Sequence, residues 1–235
     1  MDYARVMGYR SGENPARYQG NLKTLLPAVS KRDISHHHPS LPFEQIHAFM
    51  TKLHKMTGVA AKALEFTILT AARSGETRGA TWEEIQGDKW IVPASRMKAG
   101  VEHHVPLSKQ ALAVLEHMRN GNPKPTGLIF SGTRGNPMSD ATMSAVLKRM
   151  SVTGITVHGF RSSFRVWCSE TSARSFGDRA AEFALAHGLQ NKVEASYQRS
   201  TLFDIRVQLM QAWSDYCDAP TVVEGASVTD IRAAA

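Results

Sequence analysis

What most constrains the fold of this chain is a change in the spacing of its apolar residues. Phe43, Ile46, Phe49, Met50 and Leu53 recur every three or four positions, which predicts an amphipathic helix entered at Pro42. Ala63, Leu64, Phe66, Thr67 and Leu69 are apolar on most sides, predicting a deeply buried helix over 60–70. A short helical turn over 74–79 follows. The period then changes. Trp82 to Ile85, Lys89 to Val92 and Glu102 to Leu107 are short β-rich runs, parted by Gly87-Asp88 and Lys98-Ala99-Gly100, which reads as hairpins. Helical spacing returns over 108–119, with Ser108 as N-cap and Leu112, Leu115 and Met118 as its stripe. After the short apolar run Leu128-Ile129-Phe130, Ser139-Asp140 caps a helix reaching Met150. Further helices are expected over 160–171, 178–186, 193–198 and 203–216. The expected class is mainly α with a small antiparallel β-sheet of about three strands.

Residues 1–40 carry loop formers and few periodic apolar positions, including Ser11-Gly12-Glu13-Asn14-Pro15 and His36-His37-His38-Pro39. They read as a linker entering a domain that spans 41–218. Residues 219–235 turn small and polar, a tail without core residues. Hydrophobic residues make up 42% of the 235, which excludes a disordered chain. No apolar stretch approaches the ~18 residues of a membrane helix. Cys168 and Cys217 are too few for a disulfide framework and fit a reducing compartment. The start Met-Asp-Tyr-Ala-Arg lacks the apolar core of a signal peptide. With 28 Lys+Arg against 21 Asp+Glu the net charge is +7, which fits a polyanionic partner and equally fits many enzymes that never meet one.

Several polar residues stand in awkward places. Arg73, in Thr-Ala-Ala-Arg-Ser-Gly-Glu, directly follows the most apolar helix; a helix-end cation paired with Glu76 is the ordinary account. His158-Gly159-Phe160-Arg161 puts a histidine and an arginine three apart on one side of a helix start, as a solvated surface pair also would. His187 follows Phe183-Ala184-Leu185-Ala186 and could simply satisfy the last carbonyls of that helix. Tyr197, beside Gln198 and Arg199, could be a half-buried helix residue. Each signal is weak alone, but their order and spacing together are not.

Arg73, Lys98 on a hairpin, His158-x-x-Arg161, His187 and Tyr197 together resemble the catalytic set of the tyrosine recombinases, the phage-type integrases. The flanking runs around Arg73, His-Gly-Phe-Arg, Leu-Ala-His and Tyr-Gln-Arg resemble that family as well. Asn191-Lys192-Val193-Glu194-Ala195 and the ending Phe203…Trp213-Ser214-Asp215-Tyr216 are most similar to integrases of prophages and genomic islands. The resemblance covers 41–218 and implies a tyrosine recombinase catalytic-domain fold. It implies site-specific recombination, the integration or excision of a mobile element, through a 3′-phosphotyrosyl intermediate without metal, ATP or other cofactor. Tyr197 is then the nucleophile, Arg73 and Arg161 the clamp on the phosphate, and Lys98 the general acid. His158 assists proton transfer, His187 hydrogen-bonds the phosphate, and Glu76 holds the Arg73 guanidinium. The implied partners are double-stranded DNA attachment sites, a homotetramer in the synaptic complex formed from free monomers, and DNA-bending and directionality factors. The implied setting is the bacterial cytoplasm at the nucleoid, with no membrane.

Other readings compete. His36–His38 and His103-His104 are poor metal ligands, since neighbouring histidines on a strand point to opposite faces and no spaced Cys or Asp joins them. Val166 stands where such integrases would carry an acidic residue, so a local ion pair is expected to be missing. Residues 1–40 look like the end of a core-binding domain and its linker. A DNA-binding fragment inactive through truncation is therefore an alternative, and relaxation of the type IB topoisomerase kind is another. The tail over 219–235 either packs onto a neighbouring protomer or stays disordered.

Overall fold

The computed structural model describes residues 2–12, 14–26, 39–123, 125–132, 135–172, 176–187 and 201–219. The chain divides into two compact units, Met1–His37 and His38–Ala235. In the first, short helices over Asp2–Val6 and Lys23–Leu25 flank a π-helical turn at Tyr18–Leu22. None of its described residues is buried.

The second unit is helical apart from one small sheet. A 3-10 turn at Phe43–Gln45 leads into α1 (Ile46–Leu53), and Phe43, Ile46, Phe49, Met50 and Leu53 are all buried as their spacing demands. Helix α2 (Val59–Thr70) runs through the middle of the molecule, buried from Ala63 to Thr70. It ends where Ala71 adopts a left-handed conformation, and α3 (Ser74–Arg78) follows at once. The sheet consists of β1 (Ile85–Gln86), β2 (Lys89–Val92) and β3 (His103–Pro106), antiparallel in that order. Helices α4 (Lys109–Arg119), α5 (Ala141–Arg149), α6 (Gly159–Trp167), α7 (Asp178–Ala184) and α8 (Phe203–Asp218) complete the described fold.

Aromatic rings tie these layers together. Phe66 on α2 lies 5.4 Å from the Trp90 ring and 5.3 Å from Phe130. Trp213 on α8 packs among Phe164, Trp167 and Tyr216, and donates its indole N–H to the Ile68 carbonyl at 2.9 Å. A fully buried indole needs such an acceptor, and a helix carbonyl provides it.

Three expected elements differ in detail. Trp82–Glu84 is a 3-10 turn rather than strand, because the Glu84 carboxylate draws together the Thr81 N–H, the Trp90 indole at 2.8 Å and Arg96. Pairing therefore starts at Ile85, opposite Trp90. The buried face of α4 is Ala111, Val114 and Leu115, with Leu112 and Met118 at its margin. Ser108 caps it as expected, its hydroxyl accepting from the Ala111 N–H at 3.2 Å. Helix α6 ends at Trp167 and runs into a π-helical turn over Cys168–Ser172. The helix expected over 193–198 lies outside the described residues, as does nearly all of the tail after 219.

Candidate active site

The break between α2 and α3 starts the site. The left-handed turn at Ala71 (φ 50°) stops α2, and Arg73 follows as the extended residue before α3. Glu76 accepts from the Arg73 N–H at 2.9 Å and from its guanidinium at 2.7 Å. The helix-end pairing is thus present, but it occupies one side of the guanidinium only. Nη2 reaches the carbonyls of Leu185 and Ala186 at 3.4 Å each.

Arg161 meets the same backbone from the other side. It is 5% exposed, and donates to the Ala71 carbonyl and, at 2.6 Å, to the Leu185 carbonyl. Two cations thus converge on one carbonyl. Burial first, and the Arg73 charge second, lower the Arg161 pKa to about 10, against the pull of Glu76 and Glu182. At neutral pH it remains a guanidinium. Keeping two like charges this close, one desolvated, is costly without an anion between them. Glu76 and the backbone carbonyls offset part of that cost, and an anion beside the pair would offset more.

His187 adds a ring beside this pair. Its Nε2 lies 3.5 Å from Arg161 Nη2, and its Nδ1 lies 2.8 Å from Glu182 Oε2. Ala186 takes the left-handed region (φ 50°), which turns the chain so that His187 faces back over α7. His158, Arg161, Arg165 and His187 line an open cleft of about 210 Å³.

The start of α6 is set by a close backbone crossing. The Thr156 N–H donates to the Pro39 carbonyl at 3.0 Å, and the Ser163 hydroxyl donates to the Leu41 carbonyl. A Cβ on Gly159 would lie 2.2 Å from the Pro39 carbonyl oxygen, so only glycine fits between His158 and Arg161. The histidine and arginine three apart therefore share one side because this strap holds the first turn.

Lys98 is exposed on the turn before β3. The base of that turn is bolted down by Arg96, which pairs with Glu84 and donates to the Glu76 carbonyl on the helix that begins after Arg73. A Cβ on Gly79 would come within 3.0 Å of the Arg96 guanidinium. Met97 and Ala99, on either side of Lys98, line a cavity of about 290 Å³ with His103, His187 and Arg206. Tyr197 lies outside the described residues, so the structure brings together Arg73, Glu76, Arg161 and His187, with His158 on the same cleft. It leaves Lys98 exposed on its turn, outside the residues that line this cleft.

Sequence reading missed four residues here. Arg165 and Glu182 pair at 2.6 Å beside His187. His103 pairs in register with Val92, on the inward face, while His104 faces out opposite Ile91. Burial first, then the Arg206 charge, lower the His103 pKa to about 4. Arg206 is 2% exposed and donates to the Thr201 carbonyl at 2.9 Å and the His104 carbonyl at 2.7 Å, stitching the start of α8 to β3. Strand alternation already sets His103 and His104 on opposite faces, but not which of them faces inward; nothing in the sequence separates Arg206 from a surface arginine. The valine at 166 is exposed, and Arg165 beside it keeps Glu182 and Asp178, so that guanidinium has not lost its ion pairs. Among the described residues no group of three or more His, Cys, Asp or Glu could hold a metal ion, and His36–His38 lie outside them.

The phage integrase family matches over residues 39–202, a span that holds Arg73, Glu76, Lys98, His158, Arg161 and His187. The chain belongs to the phage integrase family. It is 34% identical over 206 residues to the integrase of Enterobacteria phage P4, covering 77% of this chain and 46% of that relative. The prophage integrase IntA of Escherichia coli K12 is 36% identical over 156 residues, 65% of this chain and 37% of the relative. The integrase of Shigella phage Sf6 is 29% identical over 226 residues, 92% and 55%. The chain thus spans about half the length of the curated relatives it matches.

Solved structures share the fold at low identity. A lambda integrase dimer bound to a COC′ core site superposes with a TM-score of 0.54 at 19% identity, covering 80% of this chain and 67% of that one. A lambda integrase tetramer bound to a Holliday junction gives 0.55 at 18%, covering 81% and 56%. The XerH recombinase bound to a palindromic difH substrate after cleavage gives 0.54 at 14%, covering 84% and 58%. The chain therefore has the tyrosine recombinase catalytic fold.

Proposed function

We propose that this integrase cuts and rejoins duplex DNA at attachment sites of a mobile element, through a covalent link to Tyr197. The observation that supports this most is the convergence of Arg73 and Arg161 on the Leu185 carbonyl beside His187. Two guanidinium groups meeting on one carbonyl, with an imidazole beside them, suit a phosphodiester whose non-bridging oxygens gain charge as a fifth oxygen approaches phosphorus. Donors already fixed by backbone carbonyls need no rearrangement as that charge develops.

In this reading the Tyr197 phenolate oxygen attacks the scissile phosphorus in line with the 5′ oxygen. The P–O5′ bond breaks as the tyrosyl P–O bond forms, leaving a 3′-phosphotyrosyl strand and a 5′ hydroxyl. His158 accepts the phenol proton, and Lys98 donates a proton to the departing 5′ oxygen. The phosphodiester is exchanged rather than hydrolysed, so rejoining is the same step reversed and needs no ATP. Glu76 holds Arg73 through two hydrogen bonds. Residues 1–40 are the end of a core-binding domain and its linker, 41–218 the catalytic domain and 219–235 the tail. Synapsis is by a homotetramer of chains that are monomers when free, the setting being the bacterial cytoplasm. Among the described residues no helix is long and apolar enough to cross a membrane.

A substrate nicked one or two nucleotides from the scissile phosphate tests the reading, because loss of the short strand traps the adduct. The expected result is a covalent complex with the wild type and none with Tyr197→Phe. Binding to the same DNA without an adduct would favour the inactive DNA-binding fragment, and relaxation of any plasmid irrespective of sequence would favour the topoisomerase-like activity.

A further inference from the structure

Arg165 and Glu182 take no part in the scheme above, yet they form the best-defined hydrogen-bonded unit beside the cleft. Glu182 uses both carboxylate oxygens: Oε2 lies 2.8 Å from His187 Nδ1, and Oε1 accepts from Arg165 Nε at 2.6 Å. The backbone repeats the link, since the His187 N–H donates to the Glu182 carbonyl at 3.0 Å. Arg165 is held in turn by Asp178 at 3.3 Å and by the Ser169 hydroxyl. The left-handed Ala186 ends α7 in the ordinary way of a helix stop, and this places the His187 ring within reach of Glu182 on the preceding turn.

A carboxylate can only accept, so the nitrogen facing it carries the proton. Nε2 then faces Arg161, itself a pure donor, with its lone pair. A phosphate oxygen entering the cleft requires the opposite, a proton on Nε2, and the ring must become an imidazolium while Arg73 and Arg161 stand close by. Glu182 is the carboxylate in contact with the ring, and supplies the counter-charge for that change. Arg165 keeps the carboxylate ionised and aimed. Burial alone would raise the Glu182 pKa, but the hydrogen bonds from His187 and then Arg165 hold it below the ordinary value. Among the described residues, other charged or titratable groups near this unit include His158 on the cleft, Asp178 on α7, Cys168 after α6, Glu76 behind Arg73, and His103 in the neighbouring cavity.

We infer that Glu182 is a positioning residue for strand cleavage: braced by Arg165, it fixes the His187 ring with Nδ1–H toward the carboxylate and Nε2 toward the scissile phosphate. Its use in catalysis rests on the recombinase reading, while the orientation of the ring does not. Two measurements on the full chain separate them. In ¹⁵N-labelled protein, long-range ¹⁵N–¹H correlations of His187, assigned by their loss in His187→Gln, report which nitrogen is protonated. The neutral ring is expected as Nδ1–H in the wild type, and with the proton moved to Nε2 in Glu182→Ala. In the nicked-substrate assay, Glu182→Gln removes the charge but keeps an acceptor. Its pH–cleavage profile is expected to lie about tenfold below that of the wild type, with Glu182→Asp restoring part. An unchanged tautomer in Glu182→Ala, or a Glu182→Gln profile superimposed on the wild type, overturns the inference. A wild type that cleaves nothing removes the recombinase reading, while the resonance experiment still decides how the ring is held.

Discussion

Arg161 and Lys98 are both cations assigned to one reaction, and the fold treats them in opposite ways. Arg161 is 5% exposed and spends its guanidinium on two backbone carbonyls from distant parts of the chain, Ala71 and Leu185. Lys98 is exposed on a turn that is held by Arg96 at its base and by the Gly100 N–H donating to the Met97 carbonyl, while no bond of the Lys98 side chain is seen among the described residues. The difference follows the chemistry. Groups that stabilise charge on phosphorus work best when fixed beforehand, whereas a proton donor has to reach a leaving oxygen. Under the proposed function, folding stability and catalysis are therefore entangled at Arg161 and separable at Lys98.

Breaking the buried side should have the largest effect. Arg161→Lys keeps a charge but cannot bridge both carbonyls; cleavage is expected to fall about 10³-fold in single-turnover assays. Arg161→Ala additionally leaves buried carbonyls unsatisfied, with a loss on the order of 2–4 kcal/mol in urea denaturation. Breaking the exposed side should separate the two properties. Lys98→Ala is expected to slow cleavage about 10²-fold with no change in melting temperature. A destabilised Lys98→Ala would show that the turn is part of the fixed frame after all.

Smaller effects sharpen the boundary between the two regions. His103 lies between them, neutral because burial and Arg206 depress its pKa to about 4. The unfolded chain then binds the extra proton, so stability is full above about pH 6.5 and is lost as pH falls toward 4, by on the order of 2–3 kcal/mol. His103→Asn should flatten that slope in denaturation measured between those pH values. Gly159→Ala forces a methyl group against the Pro39 carbonyl and should cost about 1–3 kcal/mol, with cleavage reduced because the first turn of α6 shifts.

The helices and the sheet were legible because burial imposes a period. Phe43 to Leu53 and Ala63 to Leu69 show where α1 and α2 turn inward before any contact is known. Arg73, Arg161 and His187 were legible through their flanking runs, and the structure brings them together with Glu76. The partners that hold them were less so. Glu182 lies five residues before His187, and Arg165 lies one turn after Arg161, but nothing local says that the two meet across helices. The reason for Gly159 was hidden too, since Pro39 is distant in sequence and touches it only after folding. Trp82–Glu84 misled because β-prone side chains were overruled by a carboxylate that gathers three donors. Local pattern fixes periodicity, whereas side-chain bonds between elements leave no periodic trace.

The sharpest test of the contrast uses DNA in which the bridging 5′ oxygen at the cleavage site is replaced by sulfur. A thiolate, with a parent pKa of about 8.5, leaves without a proton donor, whereas charge on the non-bridging oxygens still needs the arginines. Single-turnover cleavage of this substrate should be restored to near the wild-type rate in Lys98→Ala and stay crippled in Arg161→Lys. Equal rescue of both variants, or rescue of neither, would contradict the division between a buried clamp and an exposed proton donor.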